Sequence, residues 1–337
     1  MRAKCLAAAV TLCVTAALAG CGNGGPEFDA NGDKRVVLRT DYQFNGYVAP
    51  FALALERGYY RQAGLDVAIE KGQGTATTIQ TVATGNDQFG LADSTSAVKA
   101  ISKEVPVRVV SVYLQALPTG LISLPDSTFD GSVESLRGRP VISSPGNAEL
   151  AYLDALLAKN GMSTDDVDLR LVNTNARIPT FMQTEDAVLL GFSAGDLIRV
   201  RTQRPGATYR SFGDFGMTSY GTGVIASESF LEENPNSARG FLEASRKGWE
   251  DAIEDPEAAV QAALKLYPDT SADLTRKGLQ VTIDTLLHTE ATKNLPLGET
   301  ADSDWTAMLD LLKEHAGFRG STDPDNYYSK VTDNDRK

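Results

Sequence analysis

The alternation of short apolar runs with helical stretches constrains this chain more than any other feature. β-type runs are expected at 35–39, 65–70, 88–91, 107–114, 119–123, 140–142, 168–172, 187–191 and 222–226. Helical stretches at 48–57, 76–84, 94–103, 148–159, 176–183 and 194–202 fall between them. This order predicts an α/β fold with mostly parallel sheets. After about residue 227 the texture becomes helix after helix, near 235–254, 256–266, 271–290 and 303–315. Asn234-Pro235 and Asp255-Pro256 each place a capping side chain before a proline at the first helical position. Two α/β halves and a helical return predict two lobes, the first discontinuous: 34–122 with 221–337, and 123–220. The chain then crosses between lobes twice, at Pro118-Thr119-Gly120 and at Tyr220-Gly221-Thr222-Gly223, where glycines permit changes of φ. The space between two lobes is a cleft, where small ligands usually bind.

Charge and residue counts narrow the chemistry. Lys+Arg number 32 against 44 Asp+Glu, a formal net charge of −12. So acidic a chain repels phosphate backbones, which argues against nucleic acid as a partner. Three Cys and two His leave little for metal or thiol chemistry. No H-x-x-x-H or C-x-x-C pair is present, so no zinc site is expected. Gly72-Gln73-Gly74 lacks the third glycine of a dinucleotide fingerprint, and no cofactor is expected. Gly191-Phe192-Ser193-Ala194-Gly195 matches the G-x-S-x-G elbow of serine hydrolases, after an expected strand and before an expected helix. That reading needs an acid and a histidine downstream. His288 falls in an amphipathic run, and His315 falls in a last helical turn, where the helix dipole favours it. The elbow is therefore expected to be an ordinary strand-to-helix turn, with the hydrolase as the minor alternative.

The N-terminus has the order of an export signal. Arg2 and Lys4 precede an uncharged, mostly apolar run over 5–19. A span needs about 20 residues, so this run has the length of a signal peptide rather than a membrane helix. Leu18-Ala19-Gly20-Cys21 follows and resembles a bacterial lipobox. The expectation is a signal over 1–20, cleavage before Cys21, and a diacylglycerol on its thiol. Residues 21–33, rich in Gly, Asn and Asp, read as a flexible tether. Cys5 and Cys13 would leave with the signal, so no internal disulfide is expected.

Several segments together resemble a known family. Residues 41–69 set an aromatic-rich loop before a helix, then Gly58-Tyr59-Tyr60 and Gly64-Leu65-Asp66-Val67. Phe89-Gly90-Leu91-Ala92-Asp93, Tyr113-Leu114-Gln115, Ser144-Pro145-Gly146 and residues 221–267 fit the same pattern. The chain resembles the substrate-binding lipoproteins of ABC importers, in the superfamily for thiamine-pyrimidine precursors, riboflavin, nitrate, alkanesulfonates and aromatic carboxylates. It departs at 183–187, QTEDA, where relatives carry a Gly-containing turn. The resemblance implies the type II periplasmic-binding-protein fold and no turnover. It also implies a permease and an ATPase as partners, and a monomer lipid-anchored at the outer membrane face.

Local chemistry points to the same site. Tyr42, Phe44, Asn45 and Tyr47 crowd one loop, where a flat ligand gains by stacking; Phe51 is expected in the core. The other ligand-binding residues, placed by resemblance to the family's cleft loops, are Gly74, Thr75, Asp93, Ser94, Gln115, Gly146, Asn147, Phe192 and Tyr220. Arg177 is expected on an exposed helical face rather than in the cleft. A small planar aromatic or heteroaromatic solute is expected. A pyrimidine precursor would use acceptors such as Asp93 and Gln115, whereas an aromatic carboxylate such as phthalate would use the donors near Gly146, with Arg177 as a further contact if it faced the cleft. Alkanesulfonate or nitrate is the alternative.

Overall fold

The computed structural model describes residues 32–41, 46–147, 149–315 and 317–331. Among these residues ten strands form two five-stranded sheets. They are β1 (Lys34–Arg39), β2 (Leu65–Glu70), β3 (Phe89–Asp93), β4 (Val107–Val112), β5 (Thr119–Ser123), β6 (Pro140–Ser143), β7 (Asp168–Leu171), β8 (Val188–Phe192), β9 (Thr208–Ser211) and β10 (Thr222–Ser227). The first sheet runs β2-β1-β3-β10-β4 and the second β7-β6-β8-β5-β9. In the first, β1 is parallel to β2 and β3, and β10 lies antiparallel between β3 and β4. In the second, β6 is parallel to β7 and β8, and β5 lies antiparallel between β8 and β9. The strand that enters each lobe from the other thus slots in backwards, one position from the edge. This is the type II periplasmic-binding-protein fold, with two α/β lobes and a helical return.

Burial follows strand position. The inner strands β5 and β10, TGLIS and TGVIAS, are buried along their whole length. The edge strand β2, LDVAIE, alternates buried and open residues, because one face packs and the other meets water. Strand β9, TYRS, was not expected from the sequence; it is short, polar and at an edge, so it has no apolar run to announce it. The expected lobe boundary at 122/123 cuts β5, which pairs wholly in the second sheet. The crossing therefore lies before Thr119. It runs beside the return crossing: Gly221 N–H donates to Leu114 O (2.8 Å), and Leu114 N–H to Thr222 O (3.2 Å). A Cβ on Gly221 would sit 2.8 Å from Pro118 Cδ, so the two passages lie too close for any side chain there.

The helical return closes the first lobe. Helix Pro235–Glu254 brings Phe241 to stack on Phe89 (centroids 3.9 Å apart) and Trp249 to stack on Tyr113 (5.1 Å). Phe51 meets Tyr113 and Trp249 edge-on, in the core as expected. Helix Asp302–His315 sets Trp305, Met308, Leu309 and Leu312 in the first-lobe core, while Leu311 reaches the second-lobe core. No helix among the described residues is long and apolar enough to cross a membrane.

Candidate functional site

A cavity of about 890 Å³ lies between the lobes, within the usual range for small-molecule sites. It is walled by the carboxyl ends of the parallel strands, where ligands bind in open α/β sheets. Asp41 follows β1, Asp93 ends β3, Gly146 and Asn147 follow β6, and Phe192 ends β8. The crossing segment contributes Leu117, Pro118 and Thr119.

Tyr47 and Phe192 face this cavity from opposite lobes, with ring centroids 5.9 Å apart and planes tilted by 46°. Tyr47 sits in the short 3-10 turn Gly46–Val48, and its hydroxyl donates to Asp41 Oδ1. Gly74 and Thr75 also line the wall, where helix Thr75–Ala83 begins without a side-chain cap.

Asp93 caps helix Ser94–Ile101. Its Oδ1 accepts from Ser96 N–H (2.8 Å) and Ser96 Oγ (2.9 Å), and its Oδ2 from Tyr152 Oη (3.3 Å). Burial raises its pKa above the ordinary carboxylate range, partly offset by the Ser96 and Tyr152 hydrogen bonds. Tyr152, from the second lobe, also meets Thr95 Oγ1 (2.5 Å) and Ser219 Oγ (3.2 Å), so its phenol ties helix Glu149–Lys159 to the first lobe.

Arg177 is a departure from expectation. It lines the cavity and is buried, donating Nη1 to Glu149 Oε1 and Nη2 to Asp196 Oδ2, both at 2.6 Å. Burial works against its charge, but Asp196 and Glu149 together raise its pKa. Burial raises the pKa of Glu149, and Arg177 opposes that. Glu149 and Asp196, neither of which was expected at the site, both line the cavity. Their partners lie 28 and 19 residues away in sequence, so no local motif could have shown the cluster.

Of the residues expected to bind ligand, Tyr47, Gly74, Thr75, Asp93, Gly146, Asn147 and Phe192 line the cavity. Ser94, Gln115 and Tyr220 do not. Ser94 Oγ donates to Gly221 O (2.6 Å), joining a helix start to the return crossing. Gln115 Nε2 donates to Val112 O (3.1 Å) and Glu299 O (2.6 Å). Tyr220 packs against Trp305 and donates to Ala301 O (3.1 Å). Each turns inward to satisfy backbone groups at the crossings and the helical return. Tyr42, Asn45 and Cys21 lie outside the described residues.

The elbow-like turn is a strand-to-helix connection from β8 to helix Asp196–Gln203. Ser193 is buried there, and its N–H donates to Pro118 O (2.8 Å) at the crossing. Neither histidine lines the cavity: His288 is exposed, and His315 lies 3.6 Å from Glu314. Among the described residues no cluster of three or more His, Cys, Asp or Glu is placed to hold a metal.

Comparison with known proteins agrees with this architecture. The family model described as NMT1/THI5 like matches residues 45–259, well over half of the chain. The riboflavin-binding protein RibY of Chloroflexus aurantiacus is 26% identical over 288 residues, covering 83% of this chain and 80% of that protein. A formylaminopyrimidine-binding protein of Halalkalibacterium halodurans is 23% identical over 302 residues, covering 88% and 90%. A yeast protein, 4-amino-5-hydroxymethyl-2-methylpyrimidine phosphate synthase THI11 of Saccharomyces cerevisiae, is 24% identical over 259 residues, covering 73% and 75%. Among solved structures, the periplasmic aliphatic sulphonate binding protein SsuA from Escherichia coli superposes with a TM-score of 0.70 at 14% identity. It covers 93% of this chain and 95% of that one, a likeness of fold.

Proposed function

The chain belongs to the NMT1/THI5-like family, and from that premise we propose that it is the solute-binding component of an ABC importer, taking a small planar aromatic or heteroaromatic solute. The observation that carries the ligand class is the pair of rings, Tyr47 and Phe192, set on opposite lobes around one cavity. The rings lie only 5.9 Å apart, so a flat solute would enter by parting them and stack against each. Stacking of this kind adds about 0.5–1.5 kcal/mol per good pair beyond area burial. Relatives named for riboflavin and for formylaminopyrimidine support the class, since both solutes are flat nitrogen heteroaromatics. The related synthases supply a competing reading, turnover at this site.

The protein works outside the cytoplasm, held by lipid on Cys21, and delivers its solute to a permease driven by an ATPase. The Leu18-Ala19-Gly20-Cys21 order supports the anchor. Intact mass of the detergent-extracted protein should begin at acylated Cys21, and a species retaining Met1 would end that part of the reading.

Calorimetry and melting with riboflavin, 4-aminopyrimidines, aromatic carboxylates, alkanesulfonates and nitrate test the solute class. A planar ring compound should raise the melt, with about 2.7 kcal/mol of stabilisation at 100 times its Kd. Tyr47→Ala and Phe192→Ala should each weaken its binding about tenfold. A response to nitrate or alkanesulfonate alone would overturn the planar-solute reading.

A further inference from the structure

The second lobe contains the parts of an anion receptor in which both terminal nitrogens of Arg177 are already taken from within, while its Nε is buried without a partner. Glu149, Arg177 and Asp196 are each the first residue of a helix: Glu149–Lys159, Arg177–Gln183 and Asp196–Gln203. Helix N-termini carry partial positive charge, and a buried guanidinium adds a whole one. Here, however, the chain's own carboxylates take those positions. Glu149 Oε1 accepts from Arg177 Nη1 (2.6 Å) and from Asn147 Nδ2 (2.9 Å). Asp196 Oδ2 accepts from Arg177 Nη2 (2.6 Å) and from Phe192 N–H (3.1 Å). The three residues are 9%, 7% and 7% exposed, so water does little to screen them.

One guanidinium against two carboxylates leaves the cluster with a net negative charge when all three are ionised. Among the described residues these hydrogen bonds use one oxygen of each carboxylate, Glu149 Oε1 and Asp196 Oδ2. Both residues are more than nine-tenths buried and line the cavity. The cavity as a whole tilts the same way: five described lining carboxylates (Asp41, Asp93, Glu149, Asp196, Asp273) stand against two guanidinium groups (Arg177, Arg199). An anionic solute would have to displace a buried internal partner of Arg177, leaving that carboxylate unpaired, which is the costly way to break a buried ion pair.

We propose that Glu149 and Asp196 are specificity-determining residues that quench Arg177, so that the cavity rejects anionic planar solutes and selects neutral or cationic ones carrying N–H donors. The inference rests on the reading of this cavity as a planar-solute site. A donor group of the N–C–NH₂ type, as in an aminopyrimidine, finds carboxylate acceptors on this wall, whereas a carboxylate or sulfonate meets a lining with an excess of negative charge.

The test is calorimetry with 4-aminopyrimidine and pyrimidine-4-carboxylate, two probes of equal ring size and different charge. Wild type should bind the amine at least tenfold more tightly. Glu149→Gln and Asp196→Asn keep shape while removing charge. Each should narrow that preference, and the double variant should bring the carboxylate level with the amine or ahead of it. A wild type that prefers the carboxylate overturns the proposal without any variant having to fold. So does a folded double variant with an unchanged preference. If neither probe, nor riboflavin, binds the wild type, the planar-solute reading falls, and the proposal falls with it.

Discussion

Asp93 is both a helix cap and a cavity wall, and the two roles pull its protonation in opposite directions. Capping favours the charged form, since Ser96 N–H donates to it, while burial favours the neutral form and wins. The consequence for stability has a definite sign. With its folded pKa raised, Asp93 binds a proton more tightly in the native state than in the unfolded one. Its contribution is complete below the ordinary aspartate value, about 3.9, and is lost as pH rises through the raised folded value. Asp93→Asn keeps an acceptor for the Ser96 N–H and cannot ionise. Urea titrations should therefore show the variant gaining on wild type as pH rises above about 4; parallel profiles would refute this. Asp93 was legible in the sequence because Phe89-Gly90-Leu91-Ala92-Asp93 resembles a cleft loop of the family. Arg177 was not, since a lone arginine in a helical run looks the same whether its carboxylate partners are absent or 28 residues away. Ser94 and Gln115 were misplaced because neighbouring positions in a chain face opposite ways, and the sequence does not say which.

At the scale of elements, the sequence showed nine of the ten strands through their apolar runs and most of the helices through caps and periodicity. Helix Glu228–Glu233 escaped notice, being short and abutting Asn234-Pro235. The departure at 183–187 also has a local explanation: Asp186 takes the left-handed conformation that a glycine would supply, with φ 54°. Its carboxylate accepts from Ser127 Oγ (2.8 Å), Thr128 N–H (2.8 Å) and Thr128 Oγ1 (2.6 Å), which holds the turn. How closely two helices approach cannot be read from periodicity. Helix Pro235–Glu254 crosses helix Ala49–Glu56 at Gly248, where an added Cβ would lie 2.4 Å from Pro50 O and 2.6 Å from Ala54 Cβ. Alanine improves helix propensity by about 1 kcal/mol. Overpacking costs about 1–3 kcal/mol, and the backbone carbonyl of Pro50 cannot rotate away as a side chain could. Packing should win. Gly248→Ala is expected to lower the urea midpoint with an unchanged slope, a net loss of up to about 2 kcal/mol; a gain in stability would show that the crossing relaxes.

Across the whole molecule, the lobes meet through few polar groups, and Tyr152 is central among them. Its hydroxyl reaches Thr95 and Asp93 from the opposite lobe, and Ser219 in its own. Tyr152→Phe removes these bonds and little packing, a net loss of about 1–1.5 kcal/mol for a buried hydrogen bond. If the solute binds the closed form, that loss shifts the free protein towards the open form and weakens binding about five- to tenfold. Small-angle scattering of the ligand-free variant should show a larger radius of gyration than wild type, with the two converging at saturating ligand. Equal radii without ligand would mean that the phenol does not hold the lobes together.

The backward strand β10 also sets an order in time. Strands β3 and β4 are consecutive in sequence but not neighbours in the sheet, and only residues 222–227 fill the gap between them. While the chain is being made, the N-terminal lobe therefore holds a three-stranded ladder and a detached fourth strand, with its covering helices still unsynthesised. The second sheet, by contrast, is complete within the unbroken stretch from Thr119 to Ser211. The half that begins first must finish last, because its closing piece comes from so far down the chain, and such long-range pairings form slowly. A growing chain built this way stays open at its leading end until two thirds of it exists, the condition that threading through a narrow membrane pore requires.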